Sequence, residues 1–380
     1  MSAAGVILLA AGGTGGHLFP ADALAAHLAR AGYRVHLATD ARARAYVEQL
    51  GDVELHTLSA ASVFGGNPLM LPFRLWRLVW GFVQAFGLLW RLAPDAVVGF
   101  GGYPSFAPVC VALLWRKPAL VHEQNAVLGR ANRVLAWLGA CVATSFPETL
   151  KVPSRARART RRTGNPLRRA ILDAARGGYR YLDTARPFSL LVFGGSQGAS
   201  IFASVVPEAV GLLPEALRAR LRIVQQARRD DMKDVLSAYG AMEVYAEIRD
   251  FFDDMPTRMR RAHLVICRAG ATTVSELAVL NVPSVLVPLP GALDDDQTHN
   301  ARGLKEAGGA WVMPQSDFTP PRLATKLEDL MRDEAALRTA SKRTAALAQH
   351  DAAERLCRFA TCLAQRLPVQ IETADGGLAS

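Results

Sequence analysis

Two apolar runs, far apart in the chain, break into glycine where a strand would become a helix: "VILLAAGGTGGH" at residues 6–17 and "LLVFGGSQGA" at residues 190–199. Glycine-rich strand-to-helix turns belong to parallel α/β structure, in which loops at the carboxyl ends of the strands line a ligand crevice. The chain has 380 residues, more than one hydrophobic core usually supports. Two such turns in it predict two domains of similar build.

The rest of the pattern agrees. "RVHLAT", "DAVVGFG", "PALVHEQ" and "CVATS" follow the first turn; "LRIVQQA", "MEVYAEI", "HLVICRAG", "PSVLVPLP" and "GAWVMP" follow the second. Short continuous apolar runs separated by helical stretches mark a parallel sheet covered on both faces. Residues 151–186 are rich in Arg, and "TGNP" near residue 165 supplies the turn residues of an inter-domain linker. The expected division is an N-terminal domain at 1–165, a second domain at 166–340, a C-terminal helix at 341–365 placed to pack back on the N-terminal domain, and a frayed tail at 366–380.

Each turn can handle phosphate. Gly12, Gly13, Gly15 and Gly16 let backbone N–H groups crowd around an anion, and the following helix adds its positive end. Thr14 adds a hydroxyl, and His17 can hold or move a proton. The dinucleotide fingerprint fails because position 18 is Leu18, and no Gly-Lys-[Ser/Thr] of a P-loop is present. A tight ligand-free turn remains the alternative for each, with Ser196 in the second a helix cap rather than a diphosphate ligand.

Three further clusters fall at strand ends. In "CRAGATTVSELAVL" a strand ends at Cys267 and a helix begins near Thr272, so Ala271, Thr272, Thr273, Val274 and Ser275 present helix-start amides to an anion. Glu276, one turn in, can hold a ribose diol or simply complement the helix dipole. In "PLPGALDDDQTHNA", Gln297 can read a sugar hydroxyl with both halves of its amide. Asp294, Asp295 and Asp296 read as solvated charge rather than a metal site, since consecutive loop residues rarely converge on one ion. "VHEQNAVLG" places His122, Glu123, Gln124 and Asn125 at a third strand end.

Taken in order and spacing, "GGTGGH", "GFGGYPS", "HEQN", "TGNPLR", "GGSQGA", "CRAGATTVSE" and "DDDQTHNA" make residues 6 to about 310 resemble the MurG family of cell-wall glycosyltransferases. The resemblance implies the glycosyltransferase-B fold: two Rossmann-like domains with parallel sheets facing across a cleft. It implies an inverting transfer of N-acetylglucosamine from UDP-N-acetylglucosamine to the 4-hydroxyl of the muramyl sugar of lipid I, giving lipid II. On this reading Ser196 and residues 271–276 hold the donor, Arg168 reaches the diphosphate, and Phe252 lies by the uracil. Gln297 contacts the amino sugar. Thr14, Gly15 and Gly16 face the acceptor diphosphate, and Asn125 sits near the transferred sugar. His17 is the expected base, with Glu123 in reserve. No cofactor or metal is required, because helix ends and Arg168 can stabilise the departing diphosphate. One segment departs from the family pattern: "IVQQARRD" has Ala227 and Arg228 where a glycine usually follows. A UDP-N-acetylglucosamine 2-epimerase or a diacylglycerol sugar transferase would share the fold, and a non-catalytic binder would not need His17, Glu276 and Gln297 together.

The net charge of +10 attracts nucleic acid, anionic lipid or phosphorylated ligands alike. No aromatic-plus-basic RNA motif accompanies it, so nucleic acid is not an expected partner. The apolar stretch at 67–94 is too interrupted to span a bilayer, since Arg77 and Arg91 bracket fewer than the roughly 20 residues a spanning helix needs. It reads as a helix at least half buried, with Arg74, Arg77, Gln84 and Arg91 on one solvent-facing stripe. Trp76, Trp80 and Trp90 favour shallow contact with an anionic membrane, which Trp115, Arg116 and Lys117 would extend. The Arg-rich run at 155–162 reads as solvated linker. Cys110, Cys141, Cys267, Cys357 and Cys362 form no CxxC pair and have no His at metal spacing. With no basic leader segment before the first apolar run, a reduced protein on the cytoplasmic face of the inner membrane, held peripherally, is expected.

Overall fold

The computed structural model describes residues 4–43, 53–59, 71–179, 187–195, 198–291 and 294–368; at 71–75 only the Phe73 side chain is included. The chain divides into two compact units, Met1–Arg168 with His350–Ser380, and Arg169–Gln349.

The first unit is built on seven parallel strands: β1 (Val6–Ala10), β2 (Arg34–Thr39), β3 (Glu54–Thr57), β4 (Ala96–Gly99), β5 (Ala119–Glu123), β6 (Cys141–Thr144) and β7 (Thr160–Arg162). They lie in the order β3-β2-β1-β4-β5-β6-β7. Because strand side chains alternate between faces, β1 feeds two cores. Leu8 and Ala10 join Val97, Val121 and Leu135 on one side. Ile7 and Leu9 join Leu24, Val98 and Leu120 on the other. Helices α1 (Gly15–Arg30), α2 (Leu71–Leu92), α3 (Tyr103–Leu114) and α4 (Arg130–Leu138) follow β1, β3, β4 and β5.

The second unit holds six parallel strands, β8 (Phe188–Phe193), β9 (Leu221–Gln226), β10 (Tyr245–Arg249), β11 (Leu264–Cys267), β12 (Ser284–Leu286) and β13 (Ala310–Val312), ordered β10-β9-β8-β11-β12-β13. Its helices are α5 (Arg169–Ala175), α6 (Ser200–Gly211), α7 (Glu215–Arg218), α8 (Met232–Ala241), α9 (Met255–Arg261), α10 (Ala271–Leu280), α11 (Asp296–Ala307), α12 (Pro320–Arg332) and α13 (Glu334–Ala345). A last helix, α14 (Ala352–Ala364), belongs to the first unit, where Leu356, Phe359 and Ala360 enter the core beside α1.

Three expectations change. The single helix expected at 341–365 is two helices, α13 and α14, one in each unit, so the break expected at residue 340 falls inside α13. The Arg-rich run is no linker: Ser154–Arg159 is a 3-10 turn that leads into β7. Its arginines cover carbonyls and rings instead, with Arg159 donating to the Ala136 carbonyl at 3.1 Å and Arg155 stacked over Trp137 at 4.8 Å. In α2 the expected stripe holds only in part: Arg77 and Arg91 are exposed. Gln84, placed on the outward stripe by sequence, turns inward to accept from the Ser59 amide at 2.7 Å. Most of the outward surface is apolar: Phe73, Trp76, Val79, Trp80, Val83, Phe86 and Trp90 are all about half exposed or more, while Ala85, Leu88 and Leu89 are buried. The tail expectation from residue 369 onward lies outside the described residues. Among the described residues no helix is long and apolar enough to cross a membrane.

Candidate active site

In the first unit the glycine turn does what its composition implies. Thr14 is the N-cap of α1 without a side-chain cap bond, so the first-turn amides of Gly15 and Gly16 have no carbonyl a turn behind them. Gly16 is exposed and a Cβ there would meet nothing. The turn is anchored from outside: Gly12 N–H donates to the Gly101 carbonyl at 3.0 Å, and Asp40 receives the Gly13 amide at 3.4 Å. Gly102 has φ +76, and a Cβ on it would lie 2.8 Å from the Gly12 Cα, so the β1 and β4 loops touch backbone to backbone. Sequence reading gives no role to Asp40, and it marks the second glycine loop only as the motif "GFGGYPS".

His17 lies against these loops, and its neighbours determine its tautomer. His122 Nε2 is 2.9 Å from the Gly164 carbonyl. A carbonyl only accepts, so Nε2 carries the proton and Nδ1 accepts. Gln124 therefore turns its NH2 toward His122 Nδ1 at 3.2 Å and the Phe100 carbonyl at 3.0 Å. That leaves Gln124 Oε1, buried and without a conventional hydrogen bond, beside His17 Nδ1, which is in the same state. The two side chains interact, and the Phe100 carbonyl adds a second acceptor. Acceptors on this side of the ring favour the tautomer with the His17 proton on Nδ1, which would leave Nε2 as the basic nitrogen. Burial holds the His17 pKa below that of an ordinary imidazole, against the pull of Gln124.

Burial also pushes His122 down to about 4. A histidine buried neutral contributes stability that is full above its unfolded value near 6.5 and is lost as pH falls toward the folded value. The loss expected between pH 6.5 and 4 is about 3 kcal/mol. Thermal melts across that range check it: the parent Tm should fall more steeply than that of His122→Gln.

Glu123 ends β5, buried, and its carboxylate accepts from the Asn125 amide (3.0 Å), Asn125 Nδ2 (3.2 Å), the Gly129 amide (2.8 Å) and Asn132 Nδ2 (2.9 Å). With its lone pairs committed, it organises the loop that carries Asn125 and is not placed to take a substrate proton. Arg168, the last residue of this unit, lies over the Phe19 ring at 4.1 Å.

In the second unit Gly194, Gly195 and Gly198 follow β8, the latter two with φ +88 and +66. Ser196 lies outside the described residues. Gln226, at the end of β9 and not chosen from sequence, accepts from the Gly194 amide at 3.1 Å and donates to the Asp250 carbonyl at 3.1 Å. This side chain ties the β8, β9 and β10 loops together. Helix α10 starts at Ala271 with Gly270 as N-cap and no side-chain cap bond. The amides of Ala271, Thr272 and Thr273 are the first-turn donors, while Val274 donates back to the Gly270 carbonyl. Ser275 Oγ donates to the Ala271 carbonyl at 2.9 Å, and Glu276 is buried one turn in.

The structure restricts what two of the expected side chains can offer. Gln297 Oε1 accepts from the Ala269 amide at 3.1 Å and the Leu289 amide at 3.0 Å, so only its NH2 remains to meet a sugar. Phe252 is buried, with the Arg258 guanidinium 4.3 Å from its ring, so it can offer a base only its backbone; the exposed ring is Phe251.

The comparisons with known proteins agree with this layout. The glycosyltransferase family 28 N-terminal domain matches residues 7–144, and the family's C-terminal domain matches residues 189–356. A protein of Rhodospirillum centenum named UDP-N-acetylglucosamine--N-acetylmuramyl-(pentapeptide) pyrophosphoryl-undecaprenol N-acetylglucosamine transferase is 49% identical over 92% of both chains. One of the same name from Mesorhizobium japonicum is 46% identical over 97% of both. The crystal structure of Acinetobacter baumannii MurG superposes with a TM-score of 0.74 at 29% identity, covering 94% of this chain and 98% of that one. A putative UDP-N-acetylglucosamine 2-epimerase from Listeria monocytogenes, 13% identical with a TM-score of 0.64 over 96% of this chain and 98% of its own, shares the fold. Two glycine-turn Rossmann units, both family domains and near-full-length identity place the chain in glycosyltransferase family 28, within its MurG branch.

Proposed function

We propose that this chain transfers N-acetylglucosamine from UDP-N-acetylglucosamine to the 4-hydroxyl of the muramyl sugar of lipid I, forming lipid II with inversion at the anomeric carbon. The observation that carries the reading is the near-full-length identity to relatives bearing that activity in their names. The second unit takes the donor. The first-turn amides of α10 hold the diphosphate, Glu276 the ribose, the Phe252 backbone the uracil, and the Gln297 NH2 the amino sugar. The first unit takes the acceptor, its diphosphate against Thr14, Gly15 and Gly16 and its sugar near Asn125, with Arg168 adding positive charge.

His17 Nε2 takes the proton of the attacking hydroxyl as the C1–O bond to UDP breaks. Its tautomer is set by Gln124, so Gln124→Leu should lower turnover about tenfold while leaving UDP binding unchanged. Helix-end amides receive the charge that develops on the departing diphosphate. Radiolabelled UDP-N-acetylglucosamine incubated with lipid I tests the activity: label should enter the lipid fraction, and folded protein that moves none there overturns the reading.

A lipid-borne acceptor calls for a surface that meets lipid, and we place it on the outward face of α2. Phe73, Trp76 and Trp80 stack along it, with successive ring centroids 6.1 and 6.3 Å apart. Phe86 and Trp90 continue it onto Trp115, 4.7 and 6.4 Å away. Arg77, Arg91, Arg116 and Lys117 are basic residues close by in sequence, suited to anionic headgroups on the cytoplasmic face. Phosphatidylglycerol vesicles should retain the protein at low salt, and Trp76→Ser with Trp80→Ser should release it. Equal retention of both forms would refute the assignment.

A further inference from the structure

We propose that His36, Glu54 and His56 form a binding site for a divalent transition metal, zinc above all, which clips the edge strand β3 to β2. This site is independent of the donor and acceptor loops. In the parallel pairing of β2 with β3, His36 stands opposite Glu54 and Ala38 opposite His56. Residues two apart share a face, so all three side chains lie on one side of the sheet. His36 Nδ1 is 3.1 Å from His56 Nε2 and 3.3 Å from Glu54 Oε2; His56 Nε2 is 3.6 Å from Glu54 Oε1. A tetrahedral ion with bonds of about 2.0–2.1 Å holds its ligands about 3.3 Å apart, so the donors already stand at the edges of such a polyhedron.

Three potential donor atoms converge here. With no ion bound, the 3.1 Å between the two imidazole nitrogens holds one proton, shared as an N–H···N hydrogen bond, and the Glu54 carboxylate is left to solvent. A metal ion satisfies all three at once. Two imidazoles and one carboxylate suit zinc and its neighbours, whereas magnesium and calcium prefer oxygen alone. The His36 and His56 side chains are 4% and 10% exposed and that of Glu54 is 65% exposed, so the ion enters past Glu54 and keeps water in its fourth position. Arg34 and Arg91 act on His36 from nearby and weaken the affinity without occupying the donors.

The test uses the full chain, stripped with EDTA, desalted and titrated with cobalt(II) at neutral pH. One equivalent should give the strong visible absorption of four- or five-coordinate cobalt, and zinc should displace it and raise the Tm. His56→Ala should weaken binding more than about 100-fold, and Glu54→Gln, at an exposed position that the fold tolerates, about tenfold. A spectrum that stays that of six-coordinate aqueous cobalt overturns the proposal. So does equal binding by the parent and by Glu54→Gln and His56→Ala, which would assign the metal to cysteine or other histidines.

Discussion

His17→Ala is expected to lower turnover about 10²–10⁴-fold, the usual worth of a positioned general base, with UDP affinity unchanged because the α10 amides are in the other unit. The expectation rests on the one ring nitrogen left basic. His122 fixes Gln124, Gln124 interacts with the His17 ring, and the Nδ1-protonated tautomer this favours would leave the lone pair on Nε2. Burial keeps the pKa below the ordinary imidazole value of 6.5. Turnover should therefore be flat above pH 6.5 and fall only below it, once Nε2 is protonated. In His17→Ala that acid limb should vanish. A variant that retains parental turnover, or a parent limb well above pH 6.5, contradicts the role given to His17.

Glu123→Ala should be among the most destabilising single changes in the first unit. Four donors converge on this carboxylate, and each buried donor left without an acceptor costs about 1–3 kcal/mol. Water entering the gap will satisfy some of them, so a net loss of about 3–5 kcal/mol is expected. Chemical denaturation measures it as a fall in midpoint at constant slope. A catalytic Glu123 would give the opposite signature: parental stability with lost turnover.

The central strands were legible from sequence because a parallel strand covered on both faces must be continuously apolar; β1, β4, β5 and β11 read directly. The edge strands β3 and β7 were not. Their residues, Glu54 and His56 in one and Arg161 and Arg162 in the other, are polar because one side of an edge meets solvent. The periodicity of α2 showed that it has two faces but not which is inward. The sheet takes Ala85, Leu88 and Leu89, and the aromatic side is left outside.

In the site, residue types were legible and atom-level commitments were not. Glutamate at the end of β5 looked like an acid–base group, and only the positions of Gly129 and Asn132 reveal an anchor. Gln297 carries both amide halves in any sequence, yet two amides from different loops claim its oxygen. Gln226 could have been noticed as a polar side chain ending an apolar strand, the position from which Glu123 and Gln124 also act. Cross-strand contacts such as His36 with His56, twenty residues apart, follow from register alone.

The most direct measurement of the account is the anomeric configuration of the disaccharide made from UDP-N-acetylglucosamine and lipid I, read by proton NMR of the released sugar. One displacement at C1, with the hydroxyl deprotonated by His17 and the diphosphate leaving onto helix-start amides, turns the α-linked donor into a β-linked product. An α-linked disaccharide, or free N-acetylglucosamine in place of disaccharide, would contradict it.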